Sequence, residues 1–278
     1  MVVEGGGGGV VPEVAARDHL AKIYDITNTA LTKAKIKNSE LNAIAVTMGP
    51  GLIGALMVGV LFARGLALSL QIPLISVNHV DAHLSPCLLL PKFDPKSDLG
   101  VWKDIPKYEF PALGLTVSGG HCHLSLLHSP TKKEIIGKSL DDACGEAFDK
   151  VAKLLGLDYP GGPLIEKLAA RALTHQNRQE FLMPKALNDK ENKTHFSYSG
   201  LKTSVMEIVR KLTKQTHGKI NGAHLPEETK EAIAYAFQNA ALNQLKSRVI
   251  NALSFHKNVK GLFIAGGVAQ NKMFRKIF

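Results

Sequence analysis

The chain has 278 residues, 45% hydrophobic and 21% charged, which is ordinary for a soluble globular protein and allows one large domain or two of ordinary size. Its formal net charge of +10 suggests an anionic partner such as nucleic acid, although a basic surface also serves solubility alone. The three dispersed cysteines form no Cys-x-x-Cys motif, so neither a disulfide framework nor a zinc knuckle is indicated, which favours a reducing compartment.

The first third of the chain predicts an α/β arrangement. Met1 to Gly8 is a low-complexity leader without the basic and apolar regions of a signal peptide. Val14 to Lys35 has amphipathic helical spacing, and Ala43 to Thr47 reads as a strand that runs into the sharp turn Met48 to Gly51. The apolar stretch Leu52 to Leu70 follows, and we expect a buried helix of an α/β core there rather than a membrane span.

A pair of histidines follows the second strand. Leu74 to Val77 reads as that strand, and the order strand, glycine turn, helix, strand predicts a parallel sheet. His79 and His83 then lie four residues apart on one face of a helix, so both imidazoles can reach one metal ion. A third donor must come from elsewhere, and two ordinary histidines at a strand-to-helix junction remain the alternative.

The rest of the chain continues with strands, helices and polar loops. We expect a surface loop at 92–107, a strand at 112–117 with a hairpin partner at 123–127, and a helix ending at 155. After an irregular stretch at 177–198, we expect helices at 201–213 and 227–255, a strand at 261–265 and a helix beginning near 269. Asp141 and Asp142 are expected to cap the helix that ends at Leu155.

Two strands end in the same way. The strand at 114–117 leads into Gly119-Gly120, and the strand at 261–265 leads into Gly266-Gly267. Glycine pairs let the backbone approach a ligand closely and point N–H groups at phosphate. One pair would be an ordinary tight turn, but two after equivalent strands predict a nucleotide cleft.

Eight motifs occur in order along nearly the whole chain, at 9–17, 49–56, 79–83, 117–121, 141–150, 157–163, 196–203 and 265–271. In these motifs the chain resembles the tRNA N6-adenosine threonylcarbamoyltransferases, the TsaD family. The resemblance implies a two-lobed actin/Hsp70/sugar-kinase-like α/β fold, each lobe a ribonuclease-H-like sheet flanked by helices. Residues 1–78 would form a partial first lobe, and residues 79–278 a second lobe with the metal and nucleotide-binding loops.

The family's reaction is acyl transfer. The resemblance implies transfer of the threonylcarbamoyl group from threonylcarbamoyl-AMP to the exocyclic amine of the adenosine 3′ of the anticodon, in tRNAs that read codons beginning with A. His79 and His83 match the two metal-binding histidines, for one divalent ion, iron or zinc. The positions that match the family's substrate contacts are Thr116, Val117, Ser118, Gly119, Gly120, Asp149, Gly162 and Asn271.

Two of these positions have plainer interpretations. Asp149 could be a solvated helix residue paired with Lys153 four positions on, and Asn271 could simply begin a helix.

The family pattern has parts without a counterpart in these 278 residues, namely the leading strands and a C-terminal motif with a third, aspartate metal ligand. We therefore expect truncation at both ends to leave two protein ligands, weak metal binding and low or no activity. The resemblance implies tRNA as partner, no membrane, and a bacterial cytoplasm with an inactive paralogue subunit and a small ATPase subunit. A mitochondrial or plastid location is the alternative.

Two other functions are possible from the sequence. A metalloendopeptidase (glycoprotease) is the family's older label, but it rests on the histidine pair alone, and Val80 stands where a carboxylate base is needed. A non-catalytic nucleotide-binding scaffold is opposed by the presence of both histidines, Asp149 and both glycine pairs.

Overall fold

The computed structural model describes residues 11–89, 108–174, 180–185, 193–215 and 220–278. The predicted leader at 1–8 and the predicted loop at 92–107 lie outside these ranges, as does part of the irregular stretch at 177–198. Contacts divide the chain into two compact units, Met1–His83 and Leu84–Phe278.

Unit 1 contains a two-stranded parallel sheet with helices. Strand β1 pairs with β2 in the register Ile44 to Leu74 through Thr47 to Val77, which confirms the predicted parallel pairing. The elements in chain order are α1 (Pro12–Ala34), a short 3-10 helix (Asn38–Glu40), β1 (Ile44–Gly49), α2 (Ile53–Leu70), β2 (Leu74–Asn78) and α3 (His79–Leu89), which continues into unit 2.

The expected burial of the apolar helix α2 is wrong. Its small residues Ala63 and Ala67 are buried, whereas a line of large apolar side chains is exposed. These exposed side chains are Ile53, Met57, Leu61 and Leu68, with 54–79% of their surface accessible. Helix α1 and strand β1 contact α2 on the side that carries its small residues, since a Cβ on Gly54 would lie 3.2 Å from the Cβ of Ala16 and one on Gly59 would lie 3.8 Å from Cγ2 of Val46.

Among the described residues, α2 is the one helix with the length and apolar composition of a membrane span. Only 11% of it is buried, and a single such helix is weak evidence for a membrane.

Unit 2 is built on a four-stranded mixed sheet in the order β5-β4-β3-β6. The strands are β3 (Ala112–Val117), β4 (Cys122–Leu127), β5 (Lys133–Lys138) and β6 (Leu262–Ala265). The antiparallel β3–β4 pair confirms the predicted hairpin, and β6 joins β3 in parallel. The antiparallel strand β5 was missed by the sequence analysis.

Helices cover the core face of this sheet. They are α4 (Cys144–Leu154), α5 (Gly161–Ala172), α6 (Ser199–Thr213), α7 (Glu227–Phe255) and the short α8 (Lys272–Ile277). Leu113, Leu115 and Val117 alternate along β3 onto this face, where Phe148 of α4 meets Phe237 of α7 edge to face at 5.0 Å. A smaller apolar cluster lies on the opposite face. The fold is therefore mixed α/β, with sheets flanked by helices.

Candidate functional site

The two glycine pairs meet at one edge of the sheet. Strands β3 and β6 are parallel neighbours, with Thr116 opposite Ala265, so both strands end at the same edge of the sheet. Gly266 has a φ of 102°, and a Cβ at this position would overlap the carbonyl oxygen of Val117. Glycine is therefore required where the turn after β6 packs against the end of β3.

The loop after β3 is also held by the start of α4. Gly145 donates its backbone N–H to the carbonyl oxygen of Ser118 over 3.2 Å. A Cβ on Gly145 would lie 2.7 Å from both that oxygen and the Cα of Gly119. The backbone N–H of Ser118 donates to the carbonyl oxygen of His121 over 2.8 Å, which closes the turn. The loop is thus fixed on both sides by backbone contacts.

A cavity of about 500 Å³ lies beside this loop, which is within the usual range for small-molecule sites. It is lined by Gly119, Gly145, Phe148, Asp149, Tyr159, Pro160, Gly162, Pro163, Glu166, Gly267, Val268, Gln270 and Asn271. Four positions that the family resemblance indicated thus come together here: Gly119, Asp149, Gly162 and Asn271.

The other four indicated substrate positions lie in the same loop or in the strand before it. Thr116 and Val117 are buried in β3, while Ser118 and Gly120 belong to the turn. None of these four is among the residues that line the cavity.

Asp149 lines the cavity and is hydrogen-bonded to the start of α5. Its Oδ1 accepts a hydrogen bond from the backbone N–H of Gly161 over 2.8 Å, in the first turn of α5. Burial raises the pKa of this carboxyl group, against the effect of hydrogen bonds from the backbones of Gly161 and Gly162. The structure therefore places Asp149 at the cavity and not on a solvated helix face.

Asn271 both begins a helix and lines the cavity. Its Oδ1 accepts hydrogen bonds from the backbone N–H groups of Met273 and Phe274, over 2.9 and 3.0 Å, which caps α8. Its Nδ2 donates to Oε1 of Gln238 over 2.8 Å. The plainer interpretation of Asn271 as a helix-start residue is confirmed, and it is compatible with a place in the cavity wall.

The sequence analysis missed several lining residues, of which Glu166 is the most polar. Its Oε1 accepts a hydrogen bond from the backbone N–H of Lys272 over 2.8 Å, which links α5 to α8. Glu166 lies four residues after Gly162 on the same helix, so the one-turn spacing could have placed it beside that glycine. Gln270 and Tyr159 carry no comparable signal in the sequence.

In unit 1, the two histidines of α3 are close together. The Nε2 atoms of His79 and His83 are 3.2 Å apart, and both side chains are half-buried. Two nitrogen ligands of one tetrahedral zinc ion, each about 2.0–2.1 Å from it, are about 3.3 Å apart. The pair therefore fits two positions in the coordination sphere of one such ion.

The expected capping of α4 by Asp141 and Asp142 is wrong. Oδ1 of Asp141 instead accepts hydrogen bonds from the backbone N–H groups of Tyr198 and Ser199, over 2.7 and 3.3 Å, at the start of α6. The capping interaction of α4 comes from Glu146, whose Oε2 accepts a hydrogen bond from the backbone N–H of Ala143 over 3.4 Å. The partners of Asp141, which include the hydroxyl of Ser197, are 56 or more residues away, so local sequence patterns could not reveal them.

Asp142 also has partners outside its own loop. It accepts hydrogen bonds from Lys150 Nζ over 2.6 Å and from Lys202 Nζ over 2.9 Å. Burial opposes ionisation of this carboxyl group, but the two lysines outweigh it and lower its pKa. Lys150 lies on α4 and Lys202 lies on α6, so the two ion pairs of Asp142 link these helices.

The structure defines an α/β protein with a ligand-sized cleft where two parallel strands end. The family model described as tRNA N6-adenosine threonylcarbamoyltransferase (TsaD) matches residues 3–278, and the chain belongs to this family. The chain is 43% identical over 270 residues to the tRNA N6-adenosine threonylcarbamoyltransferase of Thermosipho melanesiensis, covering 96% of this chain and 72% of that protein. The Chromobacterium violaceum enzyme of the same name is 42% identical over 268 residues, 96% of this chain and 71% of its own length.

A solved structure, the Acidaminococcus fermentans (R)-2-hydroxyglutaryl-CoA dehydratase component A, is similar at a TM-score of 0.41 and 16% identity, covering 89% of this chain and 69% of that one. The family and the relatives, rather than this weak likeness, establish the activity. The chain is an acyltransferase that adds the threonylcarbamoyl group to N6 of an adenosine in tRNA. Neither the peptidase nor the scaffold alternative is favoured by any of these matches.

Proposed function

We propose that the cavity of unit 2 binds the adenylate part of threonylcarbamoyl-AMP, the donor of the transferred group. The observation that carries this proposal is the meeting of Gly119, Asp149, Gly162 and Asn271 around one cavity of about 500 Å³. These four residues come from four separate motifs of the family pattern, and a cavity of this volume holds a small molecule of nucleotide size.

Each of these residues has a chemical role in the proposal. The backbone at Gly119 is free of side-chain atoms and can approach the phosphate closely. Asp149 uses Oδ1 for Gly161, and its Oδ2 can accept hydrogen bonds from ribose hydroxyls. Asn271 offers an N–H donor, and the backbone at Gly162 completes the wall.

The proposed reaction is a nucleophilic acyl substitution. The exocyclic amine of the tRNA adenosine attacks the carbonyl carbon of the threonylcarbamoyl group and forms a C–N bond. The C–O bond of the mixed anhydride breaks, AMP leaves with the electron pair, and the amine loses a proton. The preorganised cavity supports this step by holding the leaving group in place.

We also propose that His79 and His83 hold one divalent metal ion, iron or zinc. The support is the 3.2 Å separation of their Nε2 atoms and the preference of both metals for imidazole. When bound, such an ion supplies a Lewis acid that polarises a substrate oxygen.

We include the arrangement of the fold and the partners of the protein in this proposal. An actin- and sugar-kinase-like arrangement is supported by the family motifs, with a sheet in each unit. The net charge of +10 supports docking of tRNA through phosphate contacts. A paralogue subunit and a small ATPase subunit in a bacterial cytoplasm are the proposed surroundings, with a mitochondrion or plastid as the alternative.

The test is reconstitution of the modification. The chain is incubated with tRNA, labelled threonine, bicarbonate, ATP, an adenylate-forming enzyme and candidate partner subunits, and labelled threonine in tRNA is counted. We expect incorporation by the wild-type chain, even where it is low, to be lost with D149N and kept with E134Q, since the Glu134 side chain is 66% exposed on β5 and does not line the cavity. Incorporation that does not change with D149N would contradict the proposed adenylate site.

A further inference from the structure

The amide of Asn271 has only one orientation that satisfies its surroundings. Two backbone N–H groups, of Met273 and Phe274, point at one end of the amide, so that end must be the oxygen. The NH₂ end therefore faces Gln238, at 2.8 Å from Oε1. Gln238 in turn must present its oxygen, because a second NH₂ group could not accept this hydrogen bond.

Gln238 is a buried amide in the middle of the long helix α7. Only 3% of its surface is exposed, and its Nε2 donates to Sδ of Met273 over 3.5 Å. A buried amide costs free energy unless its polar atoms are hydrogen-bonded. The two amides therefore hold each other in one orientation, although Gln238 itself does not line the cavity.

This orientation decides what Asn271 can offer to a ligand. Its oxygen is used by α8, and one of its two N–H groups is used by Gln238. The second N–H is left for the cavity that Asn271 lines together with Gly267 and Gln270. Within the described residues, the capping hydrogen bonds hold the oxygen end of the Asn271 amide, and Gln238 is the residue that holds its NH₂ end.

We propose that Gln238 is a positioning residue for the reaction: it aims the second N–H of Asn271 at an acceptor atom of the nucleotide. The inference rests on the proposed adenylate site in the same cavity. It assigns a functional role to a residue that touches neither substrate nor cavity and would otherwise be counted as part of the core.

Helix α7 offers a matched control in Gln244, six positions further along. Gln244 is also buried, with 7% of its surface exposed, and both ends of its amide are hydrogen-bonded to the backbone of Ser197. Oε1 accepts from the N–H of Ser197 over 2.7 Å, and Nε2 donates to its carbonyl oxygen over 2.9 Å. Ser197 does not line the cavity, so Gln244 has the structural role of Gln238 without its link to the site.

The test compares AMP binding by calorimetry with thermal unfolding of the ligand-free chain. Q238M removes the acceptor while keeping the length of the side chain, and we expect the Kd for AMP to rise about tenfold, the effect of one lost hydrogen bond. Q238E should keep a Kd within about twofold of the wild type, because its carboxyl oxygen still accepts from Asn271. Q244M should lower the unfolding temperature and leave the Kd within about twofold.

An unchanged Kd for Q238M, or an equal rise for Q244M, would overturn the inference while leaving the adenylate site intact. If Q238M does not fold, Q238N decides, because its amide is one methylene shorter and draws the acceptor away from Asn271: a raised Kd supports the positioning role, and a Kd equal to that of the wild type overturns it. Failure of the wild-type chain to bind AMP would overturn the adenylate site, and this inference with it.

Discussion

The carboxylate of Asp149 accepts a hydrogen bond from the backbone N–H of Gly161, so a single side chain both lines the cavity and fixes the first turn of α5. The first N–H groups of a helix have no partner within the helix, and this contact supplies one. The wall of the cavity and the start of the helix are therefore coupled through one group that can change its charge.

This coupling predicts a pH dependence of stability. Burial raises the pKa of Asp149, so between the unfolded value of about 3.9 and the folded value the native state holds a proton that the unfolded chain has released. The free energy of unfolding therefore falls as the pH rises through this window. We expect D149N to lack this fall, as measured by urea unfolding from pH 4 to 7. The same decrease in wild type and D149N would contradict the assignment.

Asp142 predicts the opposite dependence. Its lowered pKa means that its contribution is present above about pH 3.9 and is lost as the pH falls through the folded value. We expect D142N to reduce the free energy of unfolding by about 1–3 kcal/mol at pH 7 and by less at pH 2, since two hydrogen bonds to a charged group weaken. Urea unfolding at both pH values measures this difference.

The control for Asp142 is D18N. Asp18 is paired with Lys22 across one turn of α1, and its pKa is also lowered, by that hydrogen bond. Exposed pairs of this kind contribute little, so D18N should behave as the wild type at both pH values. Equal effects of D18N and D142N on the free energy of unfolding would show that the partial burial of Asp142 does not strengthen its interactions with the two lysines.

The turn after β6 should not tolerate a side chain. We expect G266A to lower the free energy of unfolding by more than about 1 kcal/mol, because φ is positive there and the new Cβ would overlap the carbonyl oxygen of Val117. G261A is the matched control, since a Cβ on Gly261 meets nothing within 4 Å just before β6. Chemical denaturation of both variants measures the free energy of unfolding. Equal losses in G266A and G261A would mean that the close contact with β3 does not limit the residue type at position 266.

The histidine pair gives a prediction about metal content. We expect the purified chain, loaded with zinc or iron(II) and dialysed, to retain more metal than H83A, since removal of one of two imidazoles weakens binding further. H128A is the control, because His128 is an exposed histidine near Glu134 on the β4–β5 hairpin. Elemental analysis provides the measurement, and retention by H83A equal to that by H128A would argue against the pair as ligands.

Local sequence patterns predicted the elements that depend on local interactions. Helix α7 has the predicted bounds of 227–255, and the hairpin of β3 and β4 was found because apolar residues flank a glycine turn. Strand β5 was missed because Lys133 to Lys138 mixes charged and apolar residues at an outer position of the sheet. Its strand conformation is set by pairing with β4, which no local pattern contains.

The residues of the site show the same difference between local and distant interactions. The glycine pairs and Asp149 could be identified because motifs carry them, and Asn271 was recognised both as a helix start and as a family position. The roles of Asp141 and Gln238 could not be predicted, because their partners lie 57 and 33 residues away in the chain. Such roles exist only after the helices have packed.

Helix α7 joins two distant parts of unit 2. Gln238 and Gln244 lie about 9 Å apart along its axis, one fastened to the segment that begins α8 and the other to the backbone just before α6. Each amide is hydrogen-bonded to its own segment, so the two contacts are separate. Tightening around AMP should therefore slow hydrogen exchange at the backbone N–H groups that Asn271 caps and leave exchange at the N–H of Ser197 unchanged.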